Sequence, residues 1–410
     1  MARSAWLSVI LVLATPAHAE DAALPSPLRV ADVMQIAKTG RAEVSAARSR
    51  AKAAARRPAL VSALDDPEIY PSLDHVPYKL DGANWSVTIE QRFPLSHVRG
   101  NREHAAEADA LRELAGVERT GLDVELDAAQ AFWMLAELRE RAKIVNDEHA
   151  LADQMVKAAT TRYANGNGMQ ADVLRAQLEL DKLDGEREAI AADVRAAEAM
   201  LDTSLARSPD APIPDLDATV ADTEPAAASA ATDAALAKRP ELRAGSAEVA
   251  RAEAEVSVMD SMYAPMGMIR TGPAYTMFDG AGWMVMVGVS IPLWRGKLDA
   301  GVDEARSMRD MAEADLQAMR TMVRGEAAAA RERVEAARLR YVSLRDRVVP
   351  RANEAIAANL SAYAAGQTPL VGVIESAQAL WDAQRDLAMA RAQLGLAWAR
   401  LARATAQETP

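Results

Sequence analysis

The strongest constraint on this chain is that it repeats itself. Ile36-Ala37-Lys38 is echoed 200 residues later by Leu236-Ala237-Lys238. Pro67 and Pro265, Trp85 and Trp283, and the triplets Phe93-Pro94-Leu95 and Ile291-Pro292-Leu293 each stand 198 apart. Tyr163-Ala164-Asn165-Gly166 then pairs with Tyr363-Ala364-Ala365-Gly366, again at 200. Separations this constant imply tandem duplication, so both halves must fold on one plan.

That plan reads as a helix of about 30 residues, two short strands, a very long helix, a glycine turn and a second helix of about 35 residues. The copies span 20–207 and 232–406, separated by a linker at 208–231 in which Pro209, Pro212, Pro214 and Pro225 interrupt any regular pattern. From Val98 to Arg162 and from Leu298 to Ala362 the only proline is Pro350. Small and apolar residues recur there at three-four spacing: Val117, Gly121, Val124, Ala128, Ala131, Leu135, Leu138, Ala142, Val145, His149, Ala152, Val156 and Ala159 in the first copy. Met319, Val323, Ala327, Ala330, Val334, Ala337, Tyr341, Leu344 and Val348 do the same in the second. The period is that of a coiled coil, and a helix of such length extends on the order of 100 Å. A second apolar set, Leu114, Leu122, Leu126 and Trp133, predicts packing on two sides of the first long helix.

The strands decide against a plain coiled-coil rod. Trp85, Val87 and Ile89 alternate with Ser86, Thr88, Glu90 and Arg92, and Trp283, Val285, Val287, Val289 and Ile291 form the matching apolar set. About nine residues with alternating faces suit a tilted membrane strand, although a hairpin laid on a soluble bundle would show the same pattern. Four strands cannot close a barrel, so their edges would need other subunits.

Composition narrows the function classes. Arg3, an apolar run from Ala5 to Thr15 and Ala17-His18-Ala19 read as a secretory signal over residues 1–19, cleaved near Ala19. No later stretch is apolar for long enough to form a membrane helix, so a membrane-embedded mature chain would have to use strands. The absence of Cys excludes disulfides, thiolate sites and N-terminal lipidation. A net charge of −12 without a basic cluster argues against nucleic acid. The five His are scattered, so no catalytic constellation, metal site or cofactor is expected. Seven of the 18 Met fall between Met259 and Met286. Met266, Met268, Met284 and Met286 share the parity opposite the apolar strand faces, either as soft-metal contacts or as packing filler.

In this order, twice, the strand exits at Phe93-Pro94-Leu95 and Ile291-Pro292-Leu293 and the glycine turns resemble the TolC family of outer-membrane efflux ducts. The resemblance implies a mainly α protein with a small β part. Long antiparallel coiled-coil hairpins would form a periplasmic α-barrel, and four strands per chain would enter a twelve-stranded outer-membrane β-barrel shared by a homotrimer. It further implies a periplasmic adaptor protein as partner, linking the duct to an inner-membrane transporter of RND type, and no catalysis. The tips that would meet the adaptor are Tyr163, Gly166, Asn167, Gly168, Tyr363, Gly366, Gln367 and Thr368. Thr368 is expected to cap the helix that Pro369 opens. Family members place acidic residues six and nine positions after the second tip glycine, where they narrow the entrance; here those positions are Gly372 and Glu375, and in the first copy Asp172 lies six after Gly166, so Asp172 and Glu375 are the candidate gate. Arg99-Gly100-Asn101-Arg102 and Arg295-Gly296-Lys297 resemble the heavy-metal branch. A protein-secretion duct, a periplasmic adaptor and a structural filament stay open as rival readings.

Overall fold

In the computed structural model, which describes residues 24–74 and 83–407, the duplication is visible as geometry. The signal segment at 1–19 lies outside the described residues. Each copy runs from short helices through a strand pair into a helical hairpin. In the first copy β1 (Leu28–Arg29), α1 (Val30–Gly40), α2 (Ala42–Ala54) and α3 (Arg57–Val61) lead to strands β2 (Glu68–Asp74) and β3 (Asn84–Pro94). The hairpin α4 (Val98–Ala164) and α5 (Gln170–Ser204) follows, and the linker adds β4 (Leu216–Asp217). The second copy comprises α6 (Ala228–Lys238), α7 (Pro240–Ser261), β5 (Met266–Thr276), β6 (Gly280–Ser290), α8 (Arg295–Ser343), α9 (Val349–Ala364) and α10 (Leu370–Thr405).

The expected unbroken helix of about 30 residues before each strand pair does not form. Both copies break at an arginine, Arg41 and Arg239, which stand 198 apart and take extended backbone angles (φ −71°, ψ 136° and φ −59°, ψ 124°). Pro240 forces this on Arg239, because its ring excludes the helical conformation from the preceding residue. The side chains then clamp the break in one way. Arg41 bonds Glu43 and reaches Asp127 on α4 at 3.5 Å. Arg239 bonds Glu241 at 3.0 Å and Glu326 on α8 at 2.6 Å.

The first long helix, α4, runs 67 residues without interruption, about 100 Å at 1.5 Å per residue. Its seam is buried at Val124, Ala128, Leu135, Leu138, Val145, Ala152 and Ala159, as the periodicity requires. In the second copy the seam holds from Val323 to Tyr341 and then fails, leaving Val348 exposed. Pro350 has no N–H for the Asp346 carbonyl, and the helix relieves this by widening into a π turn over Leu344–Val348. The second long helix is therefore two α-segments, α8 and α9, joined by that turn.

The linker is also more than a spacer. β4 pairs in parallel with β1, matching Leu28 to Leu216 and Arg29 to Asp217. Arg139 of α4 donates to the Pro214 carbonyl at 2.7 Å, and Trp398 Nε1 of α10 donates to the Ala221 carbonyl at 2.9 Å. Residues 228–231, assigned to the linker by composition, already form the first turn of α6. Around this strap the largest apolar cluster gathers Leu28, Val33, Phe132, Trp133, Leu135, Ile190 and Leu201 from β1, α1, α4 and α5.

The four strands form one antiparallel sheet in the order β2-β3-β5-β6. The central pairing, β3 with β5, joins the two copies, with Gln91 opposite Ile269 and Phe93 opposite Gly267. Within the chain the outer edges of β2 and β6 have no strand partner among the described residues.

Candidate functional site

Strand register decides what each face of the sheet can touch. Ile69 lies opposite Ile89, Ile269 opposite Val287, and Pro273 opposite Trp283, so the apolar residues of all four strands share one face. That face is open: Trp283 is 68% and Val287 72% exposed, and Ile69, Leu73, Val285 and Ile291 are similarly uncovered. An isolated soluble domain does not present a contiguous apolar sheet face of this kind. The Trp283 indole N–H is not left orphaned, since it donates to Thr271 Oγ1 at 2.7 Å.

The opposite face is polar and occupied. Thr88 and Glu90 are almost fully buried there. Glu90 accepts from Arg92 Nε at 2.8 Å and from Arg270 Nε at 2.8 Å, and the Arg270 guanidinium lies 4.5 Å over the Tyr70 ring. Met266, Met268, Met284 and Met286 stand on this face by register. Met268 fills the space above Gly288, where an added Cβ would come within 2.7 Å of its terminal methyl. Its thioether therefore packs against the sheet. Among the described residues no group of three His, Asp or Glu side chains could hold a metal ion. His149 is packed between α4 and α5, with Nε2 3.0 Å from Asp184 Oδ1.

At the far end of the hairpins the two glycine turns come together. Gly166 and Gly366 adopt φ +75° and +77°, the left-handed conformation that ends a helix at little cost only for glycine. The Asn167 and Gln367 amides close matching turns onto the Arg162 and Ala362 carbonyls at 2.9 Å. Gly168 packs against its own turn: a Cβ there would lie 3.0 Å from the Tyr163 amide nitrogen. Thr368 does not cap the following helix. Pro369 takes the cap position with extended angles, and α10 begins at Leu370 without a side-chain cap.

The link between the tips is Arg162, which sequence reasoning passed over. Its Nη1 donates to the Tyr363 carbonyl at 2.7 Å, and its guanidinium lies 4.5 Å above the Tyr363 ring. Burial pushes the Tyr363 phenol up, opposed by Arg162 and reinforced by Asp172. Asp172 thus lies close to this joint, in the first turn of α5, whereas Glu375 is an exposed residue of α10. The pairing spans 201 residues and left no local signal beyond a basic residue before the turn.

The chain thus joins a sheet with one uncovered apolar face to helical hairpins about 100 Å long. Known proteins share this architecture. Residues 231–407 match the family described as Outer membrane efflux protein, which covers the second repeat. The Outer membrane efflux protein BepC of Brucella suis is 26% identical over 283 residues, covering 67% of this chain and 58% of that protein. The chain thus spans less than two thirds of the curated relative it matches. The fold is shared with solved outer-membrane channels. CusC superposes with a TM-score of 0.81 at 12% identity, covering 92% of both chains. The outer membrane protein VceC of Vibrio cholerae gives 0.77 at 16% identity, covering 93% of this chain and 97% of that one.

Proposed function

We propose that the whole chain is a member of the outer membrane efflux protein family and serves as the outer-membrane duct of a tripartite efflux pump, passing small solutes passively from periplasm to exterior. The uncovered apolar sheet face with two open edges carries this reading. A chain that exposes such a face meets lipid, and strands in lipid must pair until the sheet closes. A homotrimer closes it with twelve strands and keeps cyclic symmetry. The paired long helices then extend into the periplasm as a tunnel, with the glycine tips at its entrance, where a periplasmic adaptor and, through it, an inner-membrane transporter of RND type would dock.

In this reading Arg162 and Tyr363 act as a latch that holds the two hairpins of one subunit together at the entrance. Asp172 and Glu375 place three copies of each carboxylate around the axis, where they would attract cations and repel anions. Heavy-metal cations and hydrophobic drugs are both candidate solutes, and replacing Met284 and Met286 with Leu separates soft-metal contact from packing. Unchanged copper and silver tolerance in that variant would remove the metal contact. A type I protein-secretion duct shares the architecture and is separated by testing export of a protein substrate.

The duct itself is tested by fractionation. The protein should partition to the outer membrane and leave it in detergent as a heat-sensitive trimer. Recovery as a soluble periplasmic monomer would overturn the proposal.

A further inference from the structure

Where β3, β5 and β6 meet the helices, the chain frames a half-open cavity of about 330 Å³. Arg92 of β3 and Arg99 and Arg102 of the first turns of α4 line it, against one carboxylic side chain, Asp65. Met262, Met266 and Leu298 supply apolar wall. Two of the guanidiniums are engaged at one nitrogen only: Arg92 Nε on Glu90 at 2.8 Å and Arg99 Nε on the Ser62 carbonyl at 2.7 Å. Arg102 takes no hydrogen bond or ion pair among the described residues. Three arginines facing one hollow in a chain of net charge −12 are a local reversal of sign.

The side of the sheet fixes the source of a ligand. Pro94, Met266 and Ser290, which line the cavity, stand in one register row on the polar face, opposite the apolar residues. A lipid headgroup would approach from the other side. We propose that this cavity binds amphipathic anions in transit: compact apolar bodies carrying one carboxylate, sulfonate or phosphate. The size suits a small drug-like molecule, the guanidinium forks suit a planar anion, and the methionines adapt to varied apolar shapes. The placement in a lumen rests on the duct reading; the binding itself does not. It adds a solute class to that reading, since an entrance that favours cations and an inner site that holds anions select on different grounds.

The test is a fluorescence titration of the purified full-length protein in amphipol with anilinonaphthalene sulfonate, compared with its uncharged analogue N-phenylnaphthylamine. The sulfonate should bind saturably and more tightly than the neutral probe. Arg102→Gln should weaken it about tenfold and Arg102→Glu further, with the neutral probe unchanged, as loss of a charge-assisted hydrogen bond dictates. Arg102 is exposed and has no hydrogen-bond or ion-pair partner among the described residues, so both variants should fold as the wild type does. Equal affinity for the two probes, or sulfonate binding indifferent to both variants, would overturn the proposal. So would loss of binding on transfer to anionic phospholipid nanodiscs, which would assign the site to a headgroup. Charge-selective binding by a protein that fails to fractionate with the outer membrane would leave the site standing and sink the duct instead.

Discussion

Arg162 and Tyr363, on the tips of two different hairpins, are joined twice, by a 2.7 Å hydrogen bond to the tyrosine carbonyl and by the guanidinium stacked 4.5 Å over the ring. Arg162→Ala removes both, whereas Tyr363→Leu removes only the stacking. Single-channel conductance in planar bilayers should rise in both variants, more in the first. A charged hydrogen bond contributes about 1.5 to 3 kcal/mol and an exposed cation–π contact about 0.5 to 1. Identical conductance in wild type and Arg162→Ala would show that this joint does not hold the entrance.

The Glu241 carboxyl gives a pH dependence with a definite sign. Burial alone would raise it, but hydrogen bonds from Arg239 and Arg403 outweigh burial and pull it down to about 2 from a usual 4.5. A depressed carboxylate contributes stability that is complete above the unfolded value and is lost as pH falls toward the folded one. Thermal stability of wild type should therefore decline between about pH 4.5 and 2, by about 3 kcal/mol from this group. Glu241→Gln should be less stable at neutral pH and should lack this part of the acid transition in calorimetric scans.

Gly395 is required by its neighbour. A Cβ there would lie 2.1 Å from Trp133 Cε2, so α10 approaches α4 only because position 395 has no side chain. Gly395→Ala should cost about 1 to 3 kcal/mol in chemical denaturation, the usual penalty for overpacking. Trp133→Leu placed on the same chain should recover part of that loss. Additive losses would mean that the two residues do not meet.

The two faces of β6 should respond oppositely to charge. Val287→Lys puts an ammonium on the uncovered apolar face, where lipid contact costs about 2 to 4 kcal/mol near the bilayer centre. Yield of folded trimer in outer membranes should drop sharply. Met286→Lys, one residue away on the polar face, should assemble normally. Equal tolerance of both would contradict a lipid-facing role for the Val287 side.

Much of the architecture was legible because duplication and periodicity are properties of the chain itself. The spacing of Val124, Ala128 and Leu135 required a buried helical seam, and the alternation from Trp85 to Arg92 required a two-faced strand. Glycine marked both tip turns. That signal is absent at other helix ends: Ala206 and Ala406, 200 residues apart, take the left-handed conformation with φ 57° and 51° without glycine. Their helices are closed instead by the Arg207 and Gln407 amides on the Asp202 and Ala402 carbonyls at 2.9 and 3.0 Å. Alanine carries no mark for that role. Proline was legible at Pro350 as a presence, but whether it kinks, ends or widens a helix depends on what packs around the freed carbonyl.

The sequence by itself determined the doubled plan, the length of the first long helix, the apolar and polar parity of the strands that begin near Trp85 and Trp283, and the lack of thiol chemistry. These follow from local geometry, in which a side chain's direction is fixed by its position in a period of about 3.5 or of two. Only the tertiary structure decided which distant residues meet: Arg162 with Tyr363 and Gly395 with Trp133 across the two halves, Arg403 with Glu241 within the second, and the three arginines with one cavity. The three pairs join positions about 160 to 260 residues apart, where no periodicity reaches, and they arise from how the hairpins pack once the sheet has joined the copies.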